Sequence, residues 1–213
     1  MITLDFLFFL NLVSVFLISV SCFKIAYKWK NRKRLSMDFY ILGTFYIFVF
    51  FFMSYWNYTN DLFMLVNSTI FLILWTMMLS RALSKIIPSK KAWLNYIILI
   101  YALIPFIHFL TESIEITFIN IFTLSGSIIF FIFLNLMISG KNPIKIASMF
   151  GVFGGLLSVF YTFSVLLHMK FVMLSSLLLN VFLSISFISF WYISSKHPEY
   201  FLPDYDPEKD GMF

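Results

Sequence analysis

Residues 6–34 read FLFFLNLVSVFLISVSCFKIAYKWKNRKR, an apolar run followed at once by a cluster of basic side chains. The apolar part, residues 6–23, is long enough as a helix to cover most of the ~30 Å of hydrocarbon in a bilayer, at ~1.5 Å per residue. The basic cluster follows the run, whereas Asp5 precedes it. This order predicts an uncleaved membrane anchor whose N-terminus lies outside the cell.

Six further apolar stretches follow, and none of the seven contains Asp, Glu, Lys or Arg. The chain is 61% hydrophobic, with a mean hydropathy of +0.93. Such a pattern predicts an all-α membrane protein with seven transmembrane helices. We expect residues 1–195 to form the seven-helix bundle and residues 196–213 to form an extended, acidic, proline-containing cytoplasmic tail. The predicted spans are 6–23, 39–57, 62–80, 93–111, 116–138, 146–168 and 171–194.

The basic residues are distributed unevenly between the two ends of the predicted spans. Fourteen of the fifteen Lys and Arg residues fall on the side of the first basic cluster, and Lys170 alone falls on the other. This asymmetry predicts a multi-pass protein of the cell membrane with the C-terminus in the cytoplasm. The net charge of +5 therefore indicates contact with the lipid bilayer and not with nucleic acid. Tyr27 and Trp29 are expected in the aromatic belt at the inner interface.

Uncharged polar residues in the outer half of the spans are the candidates for a binding site. An amide that faces lipid leaves strong donors unsatisfied, so these side chains should face the bundle interior. We expect them to line a shallow polar cavity that opens outward; hydrogen bonding between helices is the alternative. The predicted ligand-binding residues are Asn11, Asn67, Asn120, Thr123, Ser127, Tyr161, Ser176, Asn180 and Ser184.

Small residues recur at spacings of three and four in the span 146–168, which places them on one face of a helix. In lipid, such a face allows two backbones to approach closely. We predict that it is a helix-packing face; a path for a substrate is the alternative. Its members are Ser148, Gly151, Gly155, Ser158 and Thr162.

The sequence carries no motif of a known catalytic or metal site. It has no H-E-x-x-H, no G-x-S-x-G and no paired intramembrane aspartates. Its single cysteine, Cys22, rules out an intramolecular disulfide and a site with several thiolates. We therefore predict no enzyme, no cofactor and no metal. Cys22 lies at the inner end of the first span, as an inert thiol or as a site of reversible acylation.

The basic segment 28–34, KWKNRKR, leads into a second span rich in Phe and Tyr. With seven spans, an outer N-terminus and short outer loops, the chain resembles the seven-helix sensor module that opens some prokaryotic histidine kinases and related archaeal signalling proteins. The resemblance implies a receptor-like protein that binds a small apolar or membrane-borne ligand. Since no kinase domain follows, it also implies a signalling partner at the cytoplasmic face, with an oligomer as a further expectation. A small-solute transporter or channel and an accessory subunit of a membrane complex are the alternatives.

Overall fold

The computed structural model describes the backbone of residues 4–55, 74–75, 77–86, 114–164, 172–202 and 204–206. Side chains are described within 6–51, 74–75, 77–86, 123–160, 177–202 and 204–206. All regular structure in these ranges is helical, and they contain no strand. The predicted all-α class is therefore confirmed for the described part of the chain.

Six helices are described in full, and residues 77–84 form a further helical segment. The six are α1 (Leu4–Lys28), α2 (Lys33–Tyr55), α3 (Ile114–Ser139), α4 (Asn142–Ser164), α5 (Val172–Lys196) and α6 (Pro198–Phe201). Parts of α1, α2, α4 and α5 are long and apolar enough to cross a membrane, and α3 adds a shorter apolar stretch, Thr123–Ser139. These helices are those of a multi-pass membrane protein. The predicted span 93–111 lies outside the described residues, as does most of 62–80.

The connection between α1 and α2 is much shorter than the sequence suggested. The predicted spans left residues 24–38 between them, but α1 continues to Lys28 and α2 begins at Lys33. Lysine and arginine stems can lie along a helix while their charged ends reach water, so helices extend beyond the hydrocarbon. In the turn, the Arg32 amide donates to the Trp29 carbonyl over 2.9 Å, and the Ser36 hydroxyl donates to the Ala26 carbonyl over 2.7 Å.

The turn between α3 and α4 contains a glycine and a proline, each in a position that suits it. The Gly140 amide donates to the Leu136 carbonyl over 2.8 Å just after the end of α3. A β-carbon at Gly140 would lie 2.8 Å from that same carbonyl oxygen, so the turn requires glycine. Pro143, which we expected in a loop, is the second residue of α4. Proline is tolerated there because the first-turn amides of a helix have no partner within the helix.

The helices pack in the order α3, α4, α5, α1, α2, each chiefly against its neighbours in this series. Aromatic rings join the series across its middle. Phe133 of α3 stacks on Phe190 of α5 with ring centres 6.0 Å apart, and Phe187 of α5 lies 6.4 Å from Tyr46 of α2. Three helices that are distant in sequence thereby share one aromatic core.

Two residues of the predicted small face of α4, Gly151 and Gly155, lie close to α3. A β-carbon on Gly155 would lie 2.6 Å from both the Gly126 carbonyl oxygen and the Phe130 amide nitrogen of α3. The Gly151 position is close to the ring of Phe133 of α3, because a β-carbon there would lie 2.1 Å from the nearest ring carbon. Ser148 and Ser158 of the same face are buried. The side chain of Thr162 lies outside the described residues.

Candidate functional site

Two of the predicted site residues meet in the contact between α1 and α5. The Asn180 side-chain amide donates to the Asn11 side-chain oxygen over 2.8 Å. Asn11 is fully buried, and Asn180 is partly buried. Both amides face the bundle, as the cost of an unsatisfied amide in lipid requires. They form a polar contact between α1 and α5.

The hydroxyl groups of the predicted site bind mainly within their own helices. Ser184, one turn along α5 from Asn180, is buried and donates to the Val181 carbonyl over 2.8 Å. Ser127 of α3 donates to the Thr123 carbonyl over 2.8 Å. A hydroxyl that bonds to its own helix needs no ligand or partner helix to satisfy it.

The predicted residues therefore fall into two groups in the described structure. Asn11, Asn180 and Ser184 lie on α1 and α5, whereas Thr123 and Ser127 lie on α3, which packs chiefly on α4. The side chains of the other four predicted residues lie outside the described residues: Asn67, Asn120, Tyr161 and Ser176.

A second polar contact lies between α2 and the segment 74–86. The indole nitrogen of Trp75 donates to the Tyr46 hydroxyl over 2.7 Å, and both side chains are buried. Because Tyr46 also contacts Phe187, this hydrogen bond continues the aromatic core toward the third predicted span. The sequence analysis did not include either residue in a site.

An ion pair joins the segment 74–86 to α2 near the N-terminal end of that helix. The Arg81 Nε donates to Asp38 Oδ1 over 2.6 Å. The Asp38 side chain is 2% exposed, whereas that of Arg81 is 62% exposed. Among the described residues, the second carboxylate oxygen of Asp38 is buried and has no hydrogen-bond partner. We expected Asp38 in a connecting segment, but α2 begins five residues earlier and places this acid inside the helix bundle.

The tail folds back against the turn between α1 and α2. Phe201 is fully buried and stacks on Trp29, with ring centres 5.9 Å apart and planes inclined by 19°. Phe39 of α2 lies 6.2 Å from Phe201, and Tyr205 meets Trp29 edge-on at 6.1 Å. Trp29 is therefore buried beneath the tail and does not join an interfacial belt, whereas Tyr27 is 75% exposed.

Polar contacts hold the same tail at two further points. Arg32 binds Asp204 twice, through the carboxylate at 2.9 Å and through the backbone carbonyl at 2.8 Å. The Lys141 ammonium group, in the turn between α3 and α4, donates to the Glu199 carbonyl. The turns of both helix pairs and the tail thus lie at one end of the bundle.

The predicted extended tail is only partly observed, because Pro198–Phe201 forms one helical turn. Proline at the start of a helix has the required backbone angle and lacks only an amide that would be unpaired. Leu202 then returns to extended geometry and is 2% exposed. Residues 197–206, as far as they are described, are therefore a docked segment; we call it the docked tail.

Cys22 is fully buried in the contact between α1 and α2, where its β-carbon faces Gly43. The Ser19 hydroxyl, one turn away, donates to the Gly43 carbonyl over 2.8 Å. A thiol in this position has no access to an acyl donor or to the membrane surface. The geometry therefore favours an inert cysteine over the acylation site that was the alternative.

Two signals in the sequence pointed to the residues that the prediction missed. Asp38 and Arg81 carry opposite charges next to the same ends of two consecutive predicted spans, 39–57 and 62–80, which places them at a similar depth. The tail contains Tyr200, Phe201 and Tyr205, although a solvated, extended segment rarely carries so many aromatic residues. No comparable feature of the sequence distinguishes Trp29 from the other tryptophans that are predicted at the membrane interface.

Comparison of the chain with models of protein families, with curated proteins and with solved structures finds no match.

Proposed function

We propose that this chain is a receptor-like sensor that binds a small apolar or membrane-borne ligand and signals through a partner. In this proposal it crosses the cell membrane seven times, with the N-terminus outside and the basic end in the cytoplasm. The basic residues support this orientation, because fourteen of fifteen fall on one side of the predicted spans. The docked tail would then face the cytoplasm, where a partner can reach it.

The observation that carries the proposal is that one helix, α5, joins the asparagine pair to the docked tail. Asn180 binds Asn11 near one end of α5, and the helix continues to Lys196 before α6 begins. Lys196 is sixteen positions after Asn180, a distance of ~24 Å along the helix at ~1.5 Å per residue. A continuous helix of this length can carry a displacement at the asparagines to the tail.

The strength of the two contacts suits such a switch. A hydrogen bond between helices in a membrane contributes ~0.6 kcal/mol on average, so a ligand with one good polar group can replace the Asn11–Asn180 bond. At the other end, the exposed ion pair of Arg32 with Asp204 contributes ~0–1 kcal/mol, and burial of the Phe201 ring contributes ~1.5–3 kcal/mol. A ligand shifts an equilibrium only by its difference in affinity for the two states, so a ligand that releases the tail must favour the released state by the sum of these terms.

The coupling can be tested with a reporter cysteine in the docked tail. Leu202 is 2% exposed, so Leu202→Cys should react slowly with a maleimide while the tail is docked. Cys22 is buried and adds little background. Adding Asn180→Leu breaks the asparagine pair, and we expect the labelling rate at position 202 to rise at least threefold.

Two controls define the range of this experiment. Phe201→Ala removes the ring that stacks on Trp29 and should give the rate of a released tail. Asn135→Leu makes the same change on α3, where Asn135 accepts a hydrogen bond from Ser139, and should leave the rate unchanged. Equal rates for Asn180→Leu and Asn135→Leu would show that the tail does not respond to the asparagine pair, and the sensor proposal would fail.

A further inference from the structure

A shallow apolar groove of about 440 Å³ lies between α4 and α5, at the end of the bundle that carries the docked tail. Its lining includes Pro143, Ile146 and Ala147 from α4, and Ile188, Tyr192 and Ile193 from α5. Ser189 also lines it, but its hydroxyl donates to the Ile185 carbonyl over 2.8 Å. The groove therefore offers a carbon surface with one polar group, the phenol of Tyr192.

The groove opens away from the protein core, toward the surroundings of the bundle. Ile146 is 63% exposed and Tyr192 is 59% exposed. Both belong to stretches that are long and apolar enough to cross a membrane, Asn142–Phe160 and Leu177–Lys196. In a bilayer, such a surface is in contact with acyl chains near the level of the headgroups.

A cation follows the groove-lining residues along α5. Lys196 is four residues after Tyr192 and eight after Ile188, which places all three on one face of α5. The Lys196 side chain is exposed, and no carboxylate pairs with it in the part of the chain that the structure describes. The nearby acid Glu199 has His197 as a neighbour, with Nδ1 and Oε1 3.5 Å apart.

We propose that this groove binds one anionic phospholipid. One acyl chain lies between α4 and α5, and Lys196 and the Tyr192 hydroxyl bind the phosphate. An apolar groove followed by an exposed cation matches the two parts of such a lipid, and basic pockets between transmembrane helices bind anionic headgroups. A zwitterionic lipid fills the groove equally well but offers no net charge to Lys196. This inference needs only that α4 and α5 lie in a bilayer, and it does not depend on the sensor proposal.

The charge contribution can be measured on the purified full-length chain in detergent. Dioleoylphosphatidylglycerol and dioleoylphosphatidylcholine are titrated separately, and native mass spectrometry gives the fraction of protein with bound lipid. We expect the phosphatidylglycerol to bind more tightly, and Lys196→Gln to weaken its binding about fivefold, the value of one cation at a membrane surface, ~1 kcal/mol.

Lys145→Gln is the matched control, because it removes the same charge from an exposed lysine on α4. Lys145 is two residues after Pro143, ~200° around the helix, so it points away from the groove. Its variant should bind phosphatidylglycerol like the unmodified protein. Equal weakening by both substitutions, or equal binding of the two lipids by the unmodified protein, would overturn the proposal.

The acyl chain is tested separately from the headgroup. Ser189→Phe places a ring in the groove without changing the charge, and it should weaken the binding of both lipids; a thermal melt verifies that the variant is folded. Glycerol 3-phosphate, which has the phosphate but no chain, should not compete. Full competition by glycerol 3-phosphate, or unchanged lipid binding in a folded Ser189→Phe protein, would show that the groove does not hold a chain.

Discussion

Substituting alanine for Gly155 should destabilise the protein more than the same change at Gly43. At Gly155 the new β-carbon would lie 2.6 Å from two backbone atoms of α3, the Gly126 carbonyl oxygen and the Phe130 nitrogen. At Gly43 the nearest atoms are 3.1–3.2 Å away and include the edge of the Phe23 ring. Backbone cannot move aside without separating α3 from α4, but a ring can turn slightly.

The magnitude follows from comparing the two sites. Both glycines lie inside helices, so both substitutions gain up to ~1 kcal/mol of helix propensity, and this gain cancels in the comparison. Overpacking at a rigid site costs ~1–3 kcal/mol, which leaves Gly155→Ala less stable than Gly43→Ala by about that amount. Thermal or denaturant unfolding in one detergent measures it, and Gly155→Leu should be worse still. If Gly155→Ala were as stable as Gly43→Ala, α3 and α4 would not pack through these backbones.

Three further predictions concern the polar contacts and the topology. Arg81→Gln should cost ~1–3 kcal/mol of stability because it leaves the buried carboxylate of Asp38 without its cation. Asp38→Asn should cost less, because Arg81 stays solvated. Equal losses of stability in the two variants would contradict this asymmetry. Asn180→Leu should lower the melting temperature because Asn11 loses its hydrogen-bond partner. If the pair only packs helices, adding Asn11→Leu should restore the melting temperature. A double variant that stays destabilised would indicate another partner at this site. A cysteine at the exposed position of Tyr27 should react with impermeant thiol reagents only from the cytoplasmic face, and labelling from outside would reverse the proposed orientation.

Within the described residues, the sequence was sufficient to predict which stretches become apolar helices, because that property depends on local composition. The ends of the helices were less predictable. Residues 24–28 and 33–38 carry charges that hydropathy assigns to a loop, but the helix backbone continues through them, since flexible basic side chains reach water from a helix. For the same reason the buried position of Asp38 was not predicted. Hydropathy assigns Asp38 to a loop, but α2 begins six residues before the predicted span and includes Asp38 as a buried acid.

Pairing between helices was less predictable than the helices themselves. On α4, Gly151 and Gly155 of the predicted small face lie close to α3, as close approach of two helices needs small side chains wherever the partner lies. The polar stripes did not identify a single site, because a serine or threonine in a helix can satisfy its hydroxyl on its own backbone, as Ser127 and Ser184 do. An asparagine amide has no equally good local acceptor, and Asn11 and Asn180 accordingly bind each other. Among uncharged polar residues in apolar helices, asparagine is therefore the more informative predictor of contact between helices.

The position of the charged residues explains why the docked tail forms at this end of the bundle. The turn between α1 and α2 is rich in lysine and arginine, and the tail brings the Asp204 carboxylate to Arg32, while the Glu199 backbone carbonyl accepts a hydrogen bond from Lys141. Those polar contacts are too exposed to hold the tail alone. Phe201 supplies most of the stabilisation, since burying a ring of this size contributes ~1.5–3 kcal/mol, and the ion pair of Asp204 with Arg32 joins the tail to the same turn. A partner that competes for the tail must therefore displace an aromatic contact, and its binding segment should present an apolar side chain and an acid that can bind Arg32.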